Sequence, residues 1–121
     1  MDIEILEQEF SVCSLNELPP TDDFGTFFFI GKTDEEISLV CDTSKVPENA
    51  MQCENGWRAF RVAGVLDFSL TGILSGLSAL LAENKIGLFA VSTYNTDYIL
   101  TKAENFGRAI AVLRNNGYGV R

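Results

Sequence analysis

Apolar residues recur along the second part of the chain with the period of a helix and then of a strand. Leu70, Ile73, Leu74, Leu77, Leu80 and Leu81 fall three or four residues apart or at multiples of a turn. That spacing predicts one amphipathic helix starting at Ser69, with Asp67 or Ser69 as its cap and Glu83-Asn84-Lys85 as its stop. A second helix is predicted over Glu104–Arg114, with Phe106, Ala109, Ile110 and Leu113 on one face. Asn115-Asn116-Gly117 ends it. Trp57–Ala63 alternates as a strand does, Trp57, Ala59, Arg61 and Ala63 on one side against Arg58, Phe60 and Val62 on the other. Ile86–Tyr94 and Asp97–Thr101 read as a hairpin closed at Tyr94-Asn95-Thr96, and Tyr118–Val120 as a short last strand.

The first part of the chain carries three strand-like runs, Phe10–Leu15, Phe27–Gly31 and Ile37–Cys41, and no helical period. Leu18-Pro19-Pro20-Thr21-Asp22-Asp23 and Val46-Pro47-Glu48-Asn49 break the pattern, because proline and clustered acids suit no regular interior. The boundary falls after Glu54-Asn55-Gly56. Residues 57–121 then read as β-α-β-β-α-β, an α+β ferredoxin-like order in which two helices cover one face of a four-stranded sheet. Residues 1–56 read as a reduced unit of the same kind that lacks its helices, so the chain is a tandem of one reduced and one complete unit.

Composition narrows the chemistry. Hydrophobic residues make up 46% of 121, which supports a real core. The net charge of −8 and pI near 4.4 point away from nucleic acid and from anionic membrane surfaces, both of which select basic footprints. There is no histidine, hence no common general base or metal ligand. Cys13, Cys41 and Cys53 form no Cys-x-x-Cys and no even framework, so they read as reduced thiols in a cytoplasmic protein. The acidic start MDIEILEQEF lacks the basic region of a signal peptide, and no run is long enough for a membrane span. No cofactor or metal is implied, and no nucleophile, metal motif or acid–base set suggests an enzyme.

Two places could hold a ligand. The start of the Ser69 helix offers unpaired N–H groups and a positive dipole end, suited to a carboxylate. Gly72 either admits a ligand to that first turn or, with Gly76, lets the helix pack closely on the sheet. At the hairpin, Thr93 and Asp97 either receive an ammonium or cationic group by charge-assisted hydrogen bonds or serve only the turn and the strand. Arg58 and Arg61 read as solvated, or as facing a partner chain. Trp57 and Phe27–Phe29 read as core or interface aromatics.

The segment Trp57–Gly119 resembles the ACT-like domains found as tandems in small bacterial proteins and in the cytosolic arginine sensors of animal growth signalling. The matching pieces are Leu66-Asp67-Phe68 before the helix, Thr71-Gly72-Ile73-Leu74 at its start, Ser92-Thr93-Tyr94, and Asp97-Tyr98-Ile99-Leu100. Ser38-Leu39-Val40-Cys41 and Val46-Pro47 fit the family's reduced first unit. The resemblance implies an amino-acid-binding regulatory module in which Gly72, Ile73, Thr93 and Asp97 line the ligand. With Phe68 and Ser69 at the helix entry, these residues form the candidate ligand-binding set. Where the arginine sensors carry an acid that helps hold the ligand, this chain has Leu70, so the side-chain preference stays open. The expected partners are a free amino acid or a similar small zwitterion and a second copy of the chain. The ligand would lie at a domain or subunit interface of a homodimer. The rival expectation is a protein–protein interaction module with a vestigial pocket.

Overall fold

The computed structural model describes residues 1–65 and 72–121. Along the chain it runs β1 (Asp2–Ile5), β2 (Phe10–Leu15), β3 (Phe28–Lys32), β4 (Ile37–Asp42), β5 (Gln52–Val62), α1 (Ile73–Glu83), β6 (Phe89–Ser92), β7 (Asp97–Lys102), α2 (Ala103–Asn115) and β8 (Gly119–Val120), with one 3-10 turn at Thr43–Lys45. The residues fall into two compact units. One is Gln8–Trp57; the other joins Met1–Glu7 to Arg58–Arg121. Strand β5 supplies its first residues to the former and its last to the latter.

In the Gln8–Trp57 unit the strand order is β3-β4-β2-β5, antiparallel throughout. Phe10 to Leu15 pair with Asp42 to Ile37 residue by residue. That register puts alternate apolar side chains on one side, where Cys13, Leu15, Phe24, Leu39 and Cys41 form the core. The buried Ser11 hydroxyl is satisfied by Asn55 Oδ1 at 2.6 Å and by the Thr43 hydroxyl at 2.9 Å. The strand-like runs of the first part stand where the alternation put them, within a residue at each end. Strand β5, however, begins five residues ahead of Trp57, through the polar Gln52–Gly56, because β2 supplies a hydrogen-bonding edge that polar side chains do not prevent.

The other unit carries β5-α1-β6-β7-α2-β8 in chain order, the β-α-β-β-α-β series of a ferredoxin-like fold. Its sheet has five strands where four were expected: β6-β7-β5-β1-β8. Strand β1 lies between β5 and β8, antiparallel to the first and parallel to the second. The acidic start hid this strand, yet its alternation is regular. Ile3 and Ile5 pair with Val62 and Phe60 toward the helices, while Glu4 pairs with Arg61 on the opposite face. Ile3, Phe60, Val62, Leu77, Leu81, Ile99, Phe106, Ala109, Ile110 and Leu113 form the core under the two helices.

Helix α1 starts at Ile73, four residues past the expected Ser69, and its cap is Gly72 at φ 81° with no side-chain cap bond. The candidate caps Asp67 and Ser69, and Leu70 of the apolar stripe, lie outside the described residues. Within the helix the stripe holds: Leu77 and Leu81 are buried, with Ile73, Leu74 and Leu80 packed against the same core. Helix α2 ends as its Asn-Asn-Gly sequence requires. Gly117 takes φ 92°, and the Tyr118 N–H returns to the Leu113 carbonyl at 3.1 Å. Among the described residues, no helix is long and apolar enough to cross a membrane, and no group of three or more Cys, Asp or Glu is arranged to hold a metal ion.

Candidate functional site

The β6–β7 hairpin has a longer turn and a shorter first strand than its sequence suggested, with β6 spanning Phe89–Ser92 where Ile86–Tyr94 was expected. Strand β6 stops at Ser92, which pairs with Asp97, so Thr93 belongs to the turn and not to the strand. Thr93 organises that turn. Its N–H donates to the Thr96 carbonyl at 2.8 Å, its hydroxyl donates to the same oxygen at 2.9 Å, and it accepts from the Thr96 N–H at 3.3 Å. Thr96 is buried, and its hydroxyl donates to the Val62 carbonyl at 2.8 Å, which ties the turn to β5. Asp97 Oδ1 accepts from the Ser92 hydroxyl at 2.6 Å. An ionised carboxylate with one such bond retains further acceptor positions.

Strand alternation separates the two hairpin candidates. Asp97 shares its face of β7 with Ile99, which belongs to the core under the helices. Tyr98 points the other way, toward Glu4 and Arg61. There a cleft of about 220 Å³ is lined by Glu4, Arg61, Tyr98, Thr93, Asn95 and Thr96. Thr93 therefore lines this cleft and Asp97 is not among its lining residues. Gly72 and Ile73 sit together at the start of α1, with Ile73 packed on the helix-side core. Phe68 and Ser69 lie outside the described residues.

Gly72 is explained by its backbone. A Cβ built there meets no described atom within 4 Å, and the same holds at Gly76, so close helix–sheet packing is not what either glycine provides. The left-handed φ is what requires glycine at 72, and among the described residues nothing crowds the space in front of it.

The arginines were misjudged from sequence. Arg61 Nη2 bonds Glu4 Oε2 at 3.3 Å, and its Nη1 donates to the Tyr98 hydroxyl at 3.1 Å. The Tyr98 hydrogen bond raises the guanidinium pKa, partial burial opposes that rise, and Glu4 adds to it. Arg58 donates to the Leu6 carbonyl at 3.1 Å and lays its guanidinium 4.7 Å from the centre of the Phe106 ring. Arg61, Glu4 and Tyr98 are the polar residues that sequence reasoning left out of the site. The signal was available only in the alternation of Asp2–Ile5, which places Glu4 on the Arg61 face.

The family model for the ACT domain matches residues 52–115. No curated protein matches the sequence. A solved protein of Agobacterium tumefaciens is 30% identical, covers 99% of this chain over 91% of its own, and superposes with a TM-score of 0.88. A Vibrio cholerae protein of unknown function, described as a possible transport protein, is 17% identical, with 94% and 88% coverage and a TM-score of 0.72. The aspartate kinase of Clostridium acetobutylicum, an allosteric enzyme, is 12% identical over 89% of this chain and 33% of its own, with a TM-score of 0.66. The last two likenesses are likenesses of fold. The family match over residues 52–115, more than half of the 121-residue chain, places it: the chain belongs to the ACT domain family.

Proposed function

We propose that this protein is a non-catalytic, cytoplasmic regulator that binds a free amino acid or a similar small zwitterion at a domain or subunit interface and acts as a homodimer. The carrying observation is the ACT domain match across residues 52–115, laid on a unit whose hairpin turn borders a polar cleft. At about 220 Å³ that cleft falls below the roughly 300–1,000 Å³ of drug-sized sites, so its scale suits a small metabolite. Opposite charges at Glu4 and Arg61 offer a counterpart to each end of a zwitterion. On the helix side, Gly72 and Ile73 stand at the start of α1, where N–H groups suit a carboxylate; Phe68 and Ser69, proposed with them from the sequence, lie outside the described residues. Each of the two hairpin residues offers an acceptor for an ammonium, Thr93 on the cleft and Asp97 on the helix-side face. Residues 1–56 are read as a reduced ACT-like unit and residues 57–121 as a complete one.

A thermal-shift screen against the common amino acids at millimolar concentration tests this. A ligand at about 100 times its Kd adds about 2.7 kcal/mol, a shift of several degrees for a chain this size. The Asp97→Ala variant is expected to fold and to lose that shift. Absence of any shift, with every amino acid tried, sinks the proposal. One observation favours the rival interaction module: Thr93 and Asp97 are already bonded within the turn, and Tyr94 at its tip is 81% exposed. A ligand-independent partner captured through Tyr94, and released by Tyr94→Ala, supports that reading.

A further inference from the structure

Cys13 and Cys53 face each other across β2 and β5 as a direct cross-strand pair, both within the Gln8–Trp57 unit. Their sulfurs are 2.9 Å apart, with the Cys53 thiol donating to Cys13 Sγ. Closing that gap to a covalent bond of about 2.05 Å needs a movement on the order of 1 Å. Directly opposed residues of an antiparallel pair have Cα atoms roughly 4.5–5.5 Å apart, inside the range a disulfide spans. Cys41 pairs with Ser11 and is a diagonal neighbour of Cys13, its thiol within hydrogen-bonding reach of Cys13, but the diagonal Cα separation of about 7–8 Å exceeds the usual span of a disulfide. The pair is also asymmetric. Cys13 is buried at 2% exposure, whereas Cys53 is exposed. An open hollow of about 630 Å³ borders both residues.

We propose that Cys13 and Cys53 form a redox modification site, in which a small neutral or cationic disulfide oxidises the two thiols to a cross-strand disulfide joining β2 to β5. The exposed Cys53 gives up its proton and its sulfur attacks one sulfur of the small disulfide. That S–S bond breaks, and one small thiol leaves carrying a proton. Cys13 then gives up its proton and attacks Cys53 Sγ. The mixed disulfide breaks and the second small thiol leaves. Two protein thiols are oxidised by two electrons, and one small disulfide is reduced to two thiols. Burial, and after it the contact with Cys53, push the Cys13 thiol up to about 12, which fits Cys13 as the second thiol to react. The chain's net charge of −8 disfavours anionic oxidants such as oxidised glutathione.

The reduced full-length protein is incubated with cystamine, denatured, alkylated and mapped by peptide mass spectrometry. The expected result is loss of two of the three thiols, a linked Cys13–Cys53 peptide, no retained cysteamine and full alkylation of Cys41. Dithiothreitol restores all three. Cystamine is expected to react severalfold faster than oxidised glutathione at low salt, and the difference to narrow at high salt. Cys53→Ser should leave Cys13 alkylatable, and Cys41→Ser should preserve the linked peptide. A stable cysteamine adduct on Cys53, a Cys13–Cys41 link, disulfide-joined chains or three unreacted thiols overturns the proposal. Equal rates for the two oxidants at low salt overturn the preference for a cationic one.

Discussion

Gly72 carries a backbone task that any other residue meets at a cost. At φ 81° a Cβ is strained even in open space, so Gly72→Ala should destabilise the protein by about 1–2 kcal/mol, read as a lower midpoint in urea. The same substitution fills the space in front of α1, so weaker ligand binding beyond the stability loss would separate its two roles. Cys41 makes a pH-dependent contribution. Burial raises its thiol from 9.0 to about 11, with Asp42 adding to the rise. A raised folded pKa favours the protonated thiol, so its contribution is complete below pH 9 and is lost as pH rises from 9 towards 11. Denaturation under reducing conditions should show stability falling across that window, by at most about 1.4 kcal/mol per pH unit per thiol, and less steeply in Cys41→Ala. At this scale the sequence was least legible. Arg61 read as solvated because its partners, Glu4 and Tyr98, come from strands far along the chain.

Elements were read best where their period was long. Both helices show a stripe of several turns, which no strand reproduces, and α2 came out nearly residue for residue. The start of α1 was placed early because Leu70 continues the stripe and cannot reveal that the chain turns left-handed at Gly72. Strand β1 was missed for the opposite reason. Four residues give two alternations, too few to stand out among the acids of the first ten residues. Its structural weight is nevertheless high, since Ile3 has no exposed surface and joins the helix-side core. Ile3→Ala should therefore cost about 2–5 kcal/mol, as a core deletion does, where a fraying terminus would cost nothing. Amide exchange checks this directly, with protection expected on β1 comparable to that on the last part of β5.

For the molecule as a whole, edges matter more than cores. Among the described residues, strands β3, β6 and β8 each have one hydrogen-bonded neighbour. The outer edge of such a strand is where a second copy can add, and the proposed homodimer requires such a surface. Light scattering should give a mass twice the 13.3 kDa of one chain at micromolar concentration, and the saturating amino acid should lower the dimer's dissociation constant. A single-chain mass under both conditions contradicts the dimeric arrangement. The ferredoxin-like order was legible from sequence because alternating strands and helices leave few topologies open. The exchange of the first strand into the other unit was not, because it is decided by long-range pairing and not by any local pattern.

Strand β1 and the end of β5 are two arms of one antiparallel ribbon, closed by the bond from the Leu6 N–H to the Ala59 carbonyl at 3.0 Å. Seen this way, the whole of Gln8–Trp57 is the loop of a hairpin. A ribbon whose loop is itself a folded body can be cut and re-sealed. Replacing Gln8–Trp57 by an Asn-Gly turn should leave a minimal two-helix protein that still melts cooperatively. The excised segment becomes a cassette that can be exchanged without touching the helices.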